Sequence, residues 1–585
     1  MENWVIKNKA ADFNRIMQQC SVSEVLARCL VNKGLVEPED IMAYLHPDLS
    51  GLHNPFLLKD MDKACEILMD KIKSGKKIRI IGDYDVDGVV ATYVLYNTLR
   101  KLEANVDYEI PDRIKDGYGI NINMVEAAYN DKVDTLLTCD NGIVAMEQVH
   151  RAKEYNMTVI ITDHHSLAQV NDSEILLPEA DAIINPKQPD CNYPYTDLCG
   201  AAIAYKLVMA LLTHYEIADK DAYINELLSY IAIATVCDVM DLTGENRIIV
   251  KHGLKLLRCT LNKGLLALMD VAGIDKEQLS AFHLGFVIGP CLNASGRLDT
   301  AKRGLELLLS DSKEEAVKLA EDVRNLNDVR KEMTAENVEK CVQLIEEGTY
   351  SEDKILVVYL PDCHESIAGI IAGRIRERYN KPTIILTDAH DSIKGSGRSI
   401  EHYNMIEEIM KCKELLLKAG GHPMAAGLSL LQSNIEPFRQ ALNKNTTLTD
   451  EMLIPKVTID IKLPLGLITE DLVNELKLLE PFGKGNEKPL FAEKDLKIKS
   501  AFIIGKNASG IRLRVENTYG REMDAVYFGD VEAFFSYIGS IYGEKEAENL
   551  RTGRGTKVLL TITYYPKINE YNGFKSIQLM IQNYR

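Results

Sequence analysis

Two things are missing from this chain of 585 residues: a CxxC pair, and any cysteine after Cys412. The twelve cysteines are scattered, which argues against a zinc knuckle or a disulfide framework and suits reduced core residues. No apolar run approaches the ~20 residues that span a bilayer, and the opening MENWVIKNKAADF has no signal-peptide core. A cytoplasmic protein without a membrane segment is therefore expected. An excess of positive charge is missing as well: 68 Lys and Arg face 86 Asp and Glu, a net charge of -18. A protein that merely coats nucleic acid is expected to be basic. An acidic total still permits a polyanionic substrate where metal cations and a local basic lane supply the attraction. With 46% hydrophobic and 26% charged residues the composition is that of a globular protein, and its length suits roughly three or four domains.

Against this background one short stretch stands out. IGDYDVDGVVAT, residues 81–92, carries Asp83, Asp85 and Asp87 at every second position, and each carboxylate makes the next harder to ionise. An EF-hand loop is excluded, because its twelfth position would be Val94 where a bidentate Glu is required. The flanks KKIRIIG and VVATYVLYNTLRKL read as a buried strand and a helix. The acidic loop would then lie beyond the carboxyl end of a strand, where open α/β sheets bind ligands. VDTLLTCDNGI repeats that layout and places Asp140 at a second strand end, and MTVIITDHHS places Asp163, His164 and His165 at a third. LLSYIAIATVCDVMDL reads as a buried helix ending in Asp238 and Asp241, one of which would close the cluster. Taken singly, Asp140 before Asn-Gly could be a helix cap, the His pair could be structural, and Asp238 could satisfy backbone donors. Together, imidazole and carboxylates suit a transition-metal or mixed Mn/Mg site better than a calcium cage.

DYDVDG, CDNG, DHH and ATVCDVMDL, in that order, resemble the four motifs of the DHH phosphoesterase family. GPCLNASGRLDTA, CHESIAGIIAGRIRERY, GSGRSI, KAGGHPMAAGLSL and LEPFGKGNEKPLF narrow the resemblance to its RecJ branch, from about residue 20 onward. The resemblance implies that Asp85, Asp87, Asp140, His164 and Asp238 hold two divalent ions, Mn2+ or Mg2+. Asp140 would bridge them, Asp83 would ligate or stand behind the ligands, and His165 would be a ligand or substrate contact. It also implies that Arg297, Arg374, Ser396, Arg398, Ser399, Gly421 and His422 contact substrate. Two positions depart from the pattern: Ile81 stands where some relatives carry histidine, and Cys237 where many carry alanine. Two cations a few ångströms apart can stabilise both oxygens of an in-line phosphoryl displacement, and their charge resolves the carboxylate crowding.

GSGRS reads as a glycine-rich turn whose amides, hydroxyls and Arg398 cradle a phosphate, and NASGR offers Arg297 for the same purpose. SKEEAVKLAEDVRNLNDVRKEMTAENVEKCVQLIEEG reads as a long linking helix with a solvated charged face. From Lys456 onward 19 Lys and Arg meet 17 Asp and Glu, about +2, leaving about -20 on the remainder. Successive strands there fit an OB-fold, with Tyr527, Phe528, Tyr571 and Phe574 as candidate stacking residues.

The expected architecture is α/β: an N-terminal helical segment (1–60), a parallel-sheet DHH catalytic domain (61–250) and a helical linker (251–350). A smaller α/β DHH-associated substrate-binding domain (351–450) and a C-terminal OB-fold β-barrel (456–585) follow. The expected activity is metal-dependent 5'-to-3' exonucleolytic hydrolysis of single-stranded DNA in repair and recombination, by a monomer that meets single-strand-binding protein or a helicase. The alternatives are a DHH phosphodiesterase acting on oligonucleotides or cyclic dinucleotides, and a non-catalytic DNA-binding scaffold.

Overall fold

The computed structural model describes residues 2–585 apart from 172–173, 390–391, 506–507, 555 and 572, and apart from the side chains of 169–171, 174, 349 and 571. The chain forms two compact units, one of residues 49–455 and one that joins residues 1–48 to 456–585.

The larger unit begins with a five-stranded sheet. Its strands are β1 (Ile78–Ile81), β2 (Val106–Glu109), β3 (Thr135–Cys139), β4 (Thr158–Thr162) and β5 (Ala182–Ile184). They run parallel in the order β2-β1-β3-β4-β5. The runs IRII and TLLTC are buried at every residue, as strands covered by helices on both faces are, and the one charge among them, Arg79, is paired with Asp107 and Asp131. From β1 the chain crosses to β2 on one side and then to β3 on the other, so the loops after β1 and β3 diverge. A crevice opens between them at the carboxyl end of the sheet. Helices α1 (Val86–Lys101), α2 (Gly200–Leu212) and α3 (Lys220–Cys237) belong to the same core. As expected, α3 is the buried helix, and Asp238 is its C-cap.

Helix α4 (Gly289–Leu298) leads on to α5 (Lys313–Leu344), the long charged helix read from the sequence, with 32 residues and a length of roughly 48 Å. A second sheet follows, of β6 (Leu356–Tyr359), β7 (Thr383–Asp388), β8 (Ile393–Arg398), β9 (Leu416–His422) and β10 (Ala425–Leu430), in the order β9-β10-β8-β7-β6. Helix α6 (Glu365–Tyr379) lies against β7 and β8.

GSGRS is not the turn expected of it, since Gly395 to Arg398 belong to β8 and pair with both β7 and β10. The glycines make room for packing. A Cβ on Gly395 would stand 2.7 Å from Leu386 and one on Gly397 3.1 Å from the Met405 sulfur.

In the second unit, strands Phe491–Ile504, Gly510–Glu516, Glu522–Phe528, Phe574–Tyr584 and Leu559–Tyr571 pair in that spatial order, and the last pairs back onto the first. This closed order is that of an OB barrel. Helices Val531–Tyr542 and Glu544–Arg551 connect its third and fourth strands in sequence, an element that the reading in strands alone does not contain.

The first 48 residues share this unit. Strand Asn3–Ile6 pairs in parallel with Lys456–Ile459, and Ile16, Leu26 and Leu30 are buried in one core with Leu465, Leu472 and Leu476. Nine of the twelve cysteines are buried and all are free thiols, as the sequence implies. Among the described residues no helix is long and apolar enough to cross a membrane.

Candidate active site

The loop after β1 is tight because Gly88 lets it be. A Cβ there would lie 2.5 Å from the Asp83 backbone. Asp85 caps α1, with one carboxylate oxygen accepting from the amides of Asp87 (2.9 Å) and Gly88 (3.1 Å). Asp87 accepts from the amides of Gly200 (2.6 Å) and Ala201 (2.9 Å) at the N-terminus of α2, so the positive end of that helix faces a carboxylate. Only glycine brings α2 so close, since a Cβ on Gly200 would stand 2.5 Å from the Asp140 Cβ.

Asp140, after β3, has a left-handed backbone with φ 61° and places Oδ1 3.1 Å from His164 Nε2. That same imidazole nitrogen lies 3.7 Å from both Asp87 and Asp238. Val239, immediately after Asp238, also has a left-handed φ, 56°, at a cost of about 1–3 kcal/mol for a β-branched residue. Asp163 plays a supporting part. Its carboxylate accepts from the amides of Ile143, His164 and His165 and faces His165 Nδ1 at 2.8 Å. Tyr118 donates its hydroxyl to the Asp140 carbonyl (2.7 Å) and lies 2.9 Å from His165 Nδ1.

Three sets of side chains bring potential ligand atoms within 4.8 Å of one another: Asp83, Asp85 and Asp140; Asp87, His164 and Asp238; Asp140, His164 and His165. Thus Asp83, Asp85, Asp87, Asp140, His164, His165 and Asp238 converge as the sequence suggests, and Asp238 rather than Asp241 joins the cluster.

The electrostatics of the cluster are those of a site made for cations. Burial, and then the neighbouring Asp85, pushes the Asp83 carboxyl up to about 8. Burial, with Asp87 and Asp85, does the same to Asp238, also to about 8. Asp85 and Asp140 are raised by burial and by neighbouring carboxylates. Burial lowers His164 to about 4, leaving a neutral imidazole able to ligate. His165 is raised: burial opposes its charge, but the hydrogen bond and charge of Asp163 outweigh it. Asp140 Oδ1 and His164 Nδ1 are buried without hydrogen-bond partners, although such atoms are ordinarily satisfied. Carboxylates and a neutral imidazole with unsatisfied atoms fit Mn2+ or Mg2+.

Beside the cluster, α4 packs onto the acidic loop. Asn293 accepts from the Val86 amide (3.2 Å), and a Cβ on Gly296 would lie 2.5 Å from the Tyr84 carbonyl. NASGR thus positions the loop as well as presenting Arg297, which donates to the Ser366 carbonyl at the start of α6 (2.5 Å). Burial, reinforced by Arg113 and Arg330, holds the Arg297 guanidinium down to about 9. Arg113 lies 4.3 Å over the Tyr84 ring with Nη1 unsatisfied. Arg398 is partly buried against Gly369, where a Cβ would come within 2.7 Å of its Nη2. Burial lowers its pKa, as does Arg376. Arg113, Arg297 and Arg398 have no acidic partner among the described residues.

A cavity of about 250 Å3 is lined by Tyr84, Arg113, Ser366, Lys394 and Ser396 among others, so Ser396 faces open space. Ser399 does not, being buried with its hydroxyl donated to the Tyr403 carbonyl. Arg374 is exposed on α6, and Gly421 and His422 lie exposed at the end of β9. Of the stacking candidates in the barrel, Tyr527 packs against Phe534 and Tyr584 at the core. Phe528 and Phe574 are 61% and 82% exposed, and the Tyr571 side chain lies outside the described residues.

Tyr118, Arg113, Asn293 and the Gly200–Ala201 amides are absent from the sequence reading. Small residues at a helix start, as in LCGAA, are the one local signal that points to such a contact.

Three family descriptions match successive parts of the chain: DHH family, N-terminal domain at residues 77–235, DHHA1 domain at 352–447 and RecJ OB domain at 459–583. The single-stranded-DNA-specific exonuclease RecJ of Bacillus subtilis is 33% identical over 99% of this chain and 70% of its own length. That of Escherichia coli K12 is 33% identical over 90% of each chain. The crystal structure of RecJ in complex with Mn2+ from Thermus thermophilus superposes with a TM-score of 0.82 at 25% identity, covering 100% of this chain and 79% of that one. From the acidic loop to the last strand of the barrel, this chain belongs to the RecJ family.

Proposed function

We propose that this chain hydrolyses single-stranded DNA exonucleolytically in the 5'-to-3' direction, using two divalent cations, Mn2+ or Mg2+. The observation that carries the proposal is the juxtaposition, within one compact unit, of a carboxylate–imidazole cluster with unsatisfied buried atoms and a cavity lined by Arg113, Lys394 and Ser396. Asp85, Asp87, Asp140, His164 and Asp238 would hold the ions, with Asp83 at the edge of the set. Asp140 and His164 each belong to two of the three sets of converging atoms, so either would take part in holding more than one ion. When bound, the cations supply Lewis acidity toward the phosphodiester and a water acidic enough to attack at neutral pH.

The chain's own residues do the rest. Arg297, Arg398 and Ser396 bind and orient phosphate oxygens, and Arg113 joins them. Asp163 fixes the His165 ring and favours its protonated form, so His165 can donate to a non-bridging phosphate oxygen as negative charge develops. Tyr118 holds His165 and the Asp140 backbone in register.

The test is digestion of 5'-labelled and 3'-labelled single strands, duplexes and RNA with Mn2+ or Mg2+. Mononucleotide release from the 5' end of single-stranded DNA is expected, and a chelator abolishes it. Release from the 3' end would overturn the polarity. Cleavage confined to dinucleotides, or binding without cleavage, would overturn the exonuclease reading in favour of a small-substrate phosphodiesterase or a scaffold.

A further inference from the structure

A groove of about 610 Å3 lies in the unit formed by residues 1–48 and 456–585, and none of the motifs used above lines it. One wall is the extended segment that follows strand Asn3–Ile6, carrying Lys7 and Lys9. Another is Asp460 to Lys462, at the edge of the barrel sheet, where Lys462 pairs with Ala492. Phe13, Arg28 and Asn32 complete it.

Its charges divide into two kinds. Asp460, the one acidic residue in the lining, is held structurally. It lies 3.1 Å from Lys7 Nζ, accepts from the Leu490 amide at 3.0 Å, and accepts from Asn32 on its carbonyl. Arg28 pairs with Glu24 at 2.8 Å and stacks 4.5 Å over Phe13. Lys9 and Lys462 are exposed and have no acidic partner among the described residues.

The groove thus presents two uncompensated ammonium groups, side-chain amides and an apolar wall of Ile6 and Phe13, in a protein whose net charge is -18. Cations spaced along an open channel with apolar side chains between them are what a flexible sugar-phosphate strand requires. An acidic peptide would use the cations and leave the apolar wall without a partner.

The geometry points to this groove as a second contact for single-stranded DNA, in which Lys9 and Lys462 take phosphates and Phe13 and Ile6 meet the sugars or bases. This rests on the reading of the chain as a single-strand nuclease. It adds to that reading a site built jointly by the first residues of the sequence and the edge strand of the barrel.

The test uses the full chain with the double substitutions Lys9→Ala/Lys462→Ala and Lys9→Arg/Lys462→Arg, each checked for wild-type circular dichroism. Binding of a long single strand is measured in Ca2+, and the substitution of Ca2+ is first shown to prevent cleavage, across a range of salt concentrations. Loss of two phosphate contacts should lower the slope of log K against log salt by about 1.4 and weaken binding about tenfold at low salt. The arginine pair should restore both.

Unchanged affinity and slope in the alanine variant, with the wild type active on single strands, overturns the groove while leaving the nuclease reading intact. A wild type that neither binds nor cleaves single strands overturns the nuclease reading itself. Loss of binding to a polyglutamate peptide with DNA binding unaltered would assign the groove to an acidic protein segment and overturn the DNA proposal.

Discussion

The cluster at the carboxyl ends of β1, β3 and β4 and the outer face of the barrel are both rich in charge, yet they treat it in opposite ways. On the barrel, Arg512 lies 2.8 Å from Asp524, Arg514 meets both Glu522 and Asp524, and Lys499 meets Glu516. Every one of these charges has a partner in the folded chain. In the cluster, like charges are pressed together, two buried polar atoms make no hydrogen bond, and two non-glycine residues, Asp140 and Val239, adopt left-handed backbones. These barrel charges are compensated within the fold, whereas the carboxylates of the cluster are crowded by charges of their own sign. Density of charge is therefore a poor guide to function, and incompleteness is a better one.

The largest effect that would break this comparison is expected at Asp140. Asp140→Asn should reduce hydrolysis by at least about 10³-fold, the scale of losing one preorganised electrostatic contact in a transition state. In chelator, the same variant should melt no lower than the wild type, because an amide of the same shape costs no more to bury there than a carboxyl crowded by like groups. Turnover near wild type would remove Asp140 from the metal-holding set, and a large fall in melting temperature would make its role structural.

A smaller effect contrasts two arginines. Arg398→Ala should raise KM or weaken strand binding by roughly 10- to 100-fold, as expected for a lost charge-assisted contact, while Mn2+ occupancy is unchanged. Arg512→Ala, whose guanidinium is already held by Asp524 at an exposed site, should change binding by less than about threefold. Equal effects at the two positions would erase the distinction between free and compensated charge.

The smallest effect is thermal and depends on pH. Asp83 and Asp238 are raised in the folded state to about 8, so the metal-free fold binds more protons than the unfolded chain between about pH 4 and 8. Their contribution to stability is complete below the unfolded carboxyl range and is lost as pH rises through about 8. In chelator the melting temperature should fall by several degrees between about pH 5.5 and 8.5, and Mn2+ should recover most of the loss at the upper end. A flat profile in chelator would show that the carboxylates are compensated without cations.

The parts of the site legible in the sequence were those whose signal is local. A buried strand, a run of Asp, Asn and Gly, and the start of a helix are contiguous, so the positions of Asp85, Asp140 and His164 at strand ends could be read directly. What could not be read depends on contacts distant along the chain. The Gly200 and Ala201 amides reach Asp87 from a helix 113 residues away, and Asn293 reaches Val86 across 207. The glycines of GSGRS misled for a related reason. Glycine signals a turn when conformational freedom is needed, but at Gly395 and Gly397 the need is for room beside Leu386 and Met405. The fold class and the OB barrel were visible from strand patterns, whereas the sharing of one core by residues 1–48 and 456–585 has no local signature.

That shared core sets the timetable of biosynthesis. Helices Phe13–Cys20 and Glu24–Asn32 are synthesised long before the segment that buries their apolar faces, which begins at Lys456. At ordinary translation rates of about 5–20 residues per second, the interval is roughly 20–80 s. Every residue of the metal cluster lies between Leu49 and Pro455, so a chain truncated before Lys456 keeps the cluster residues and loses the segment that buries the apolar faces of the two helices.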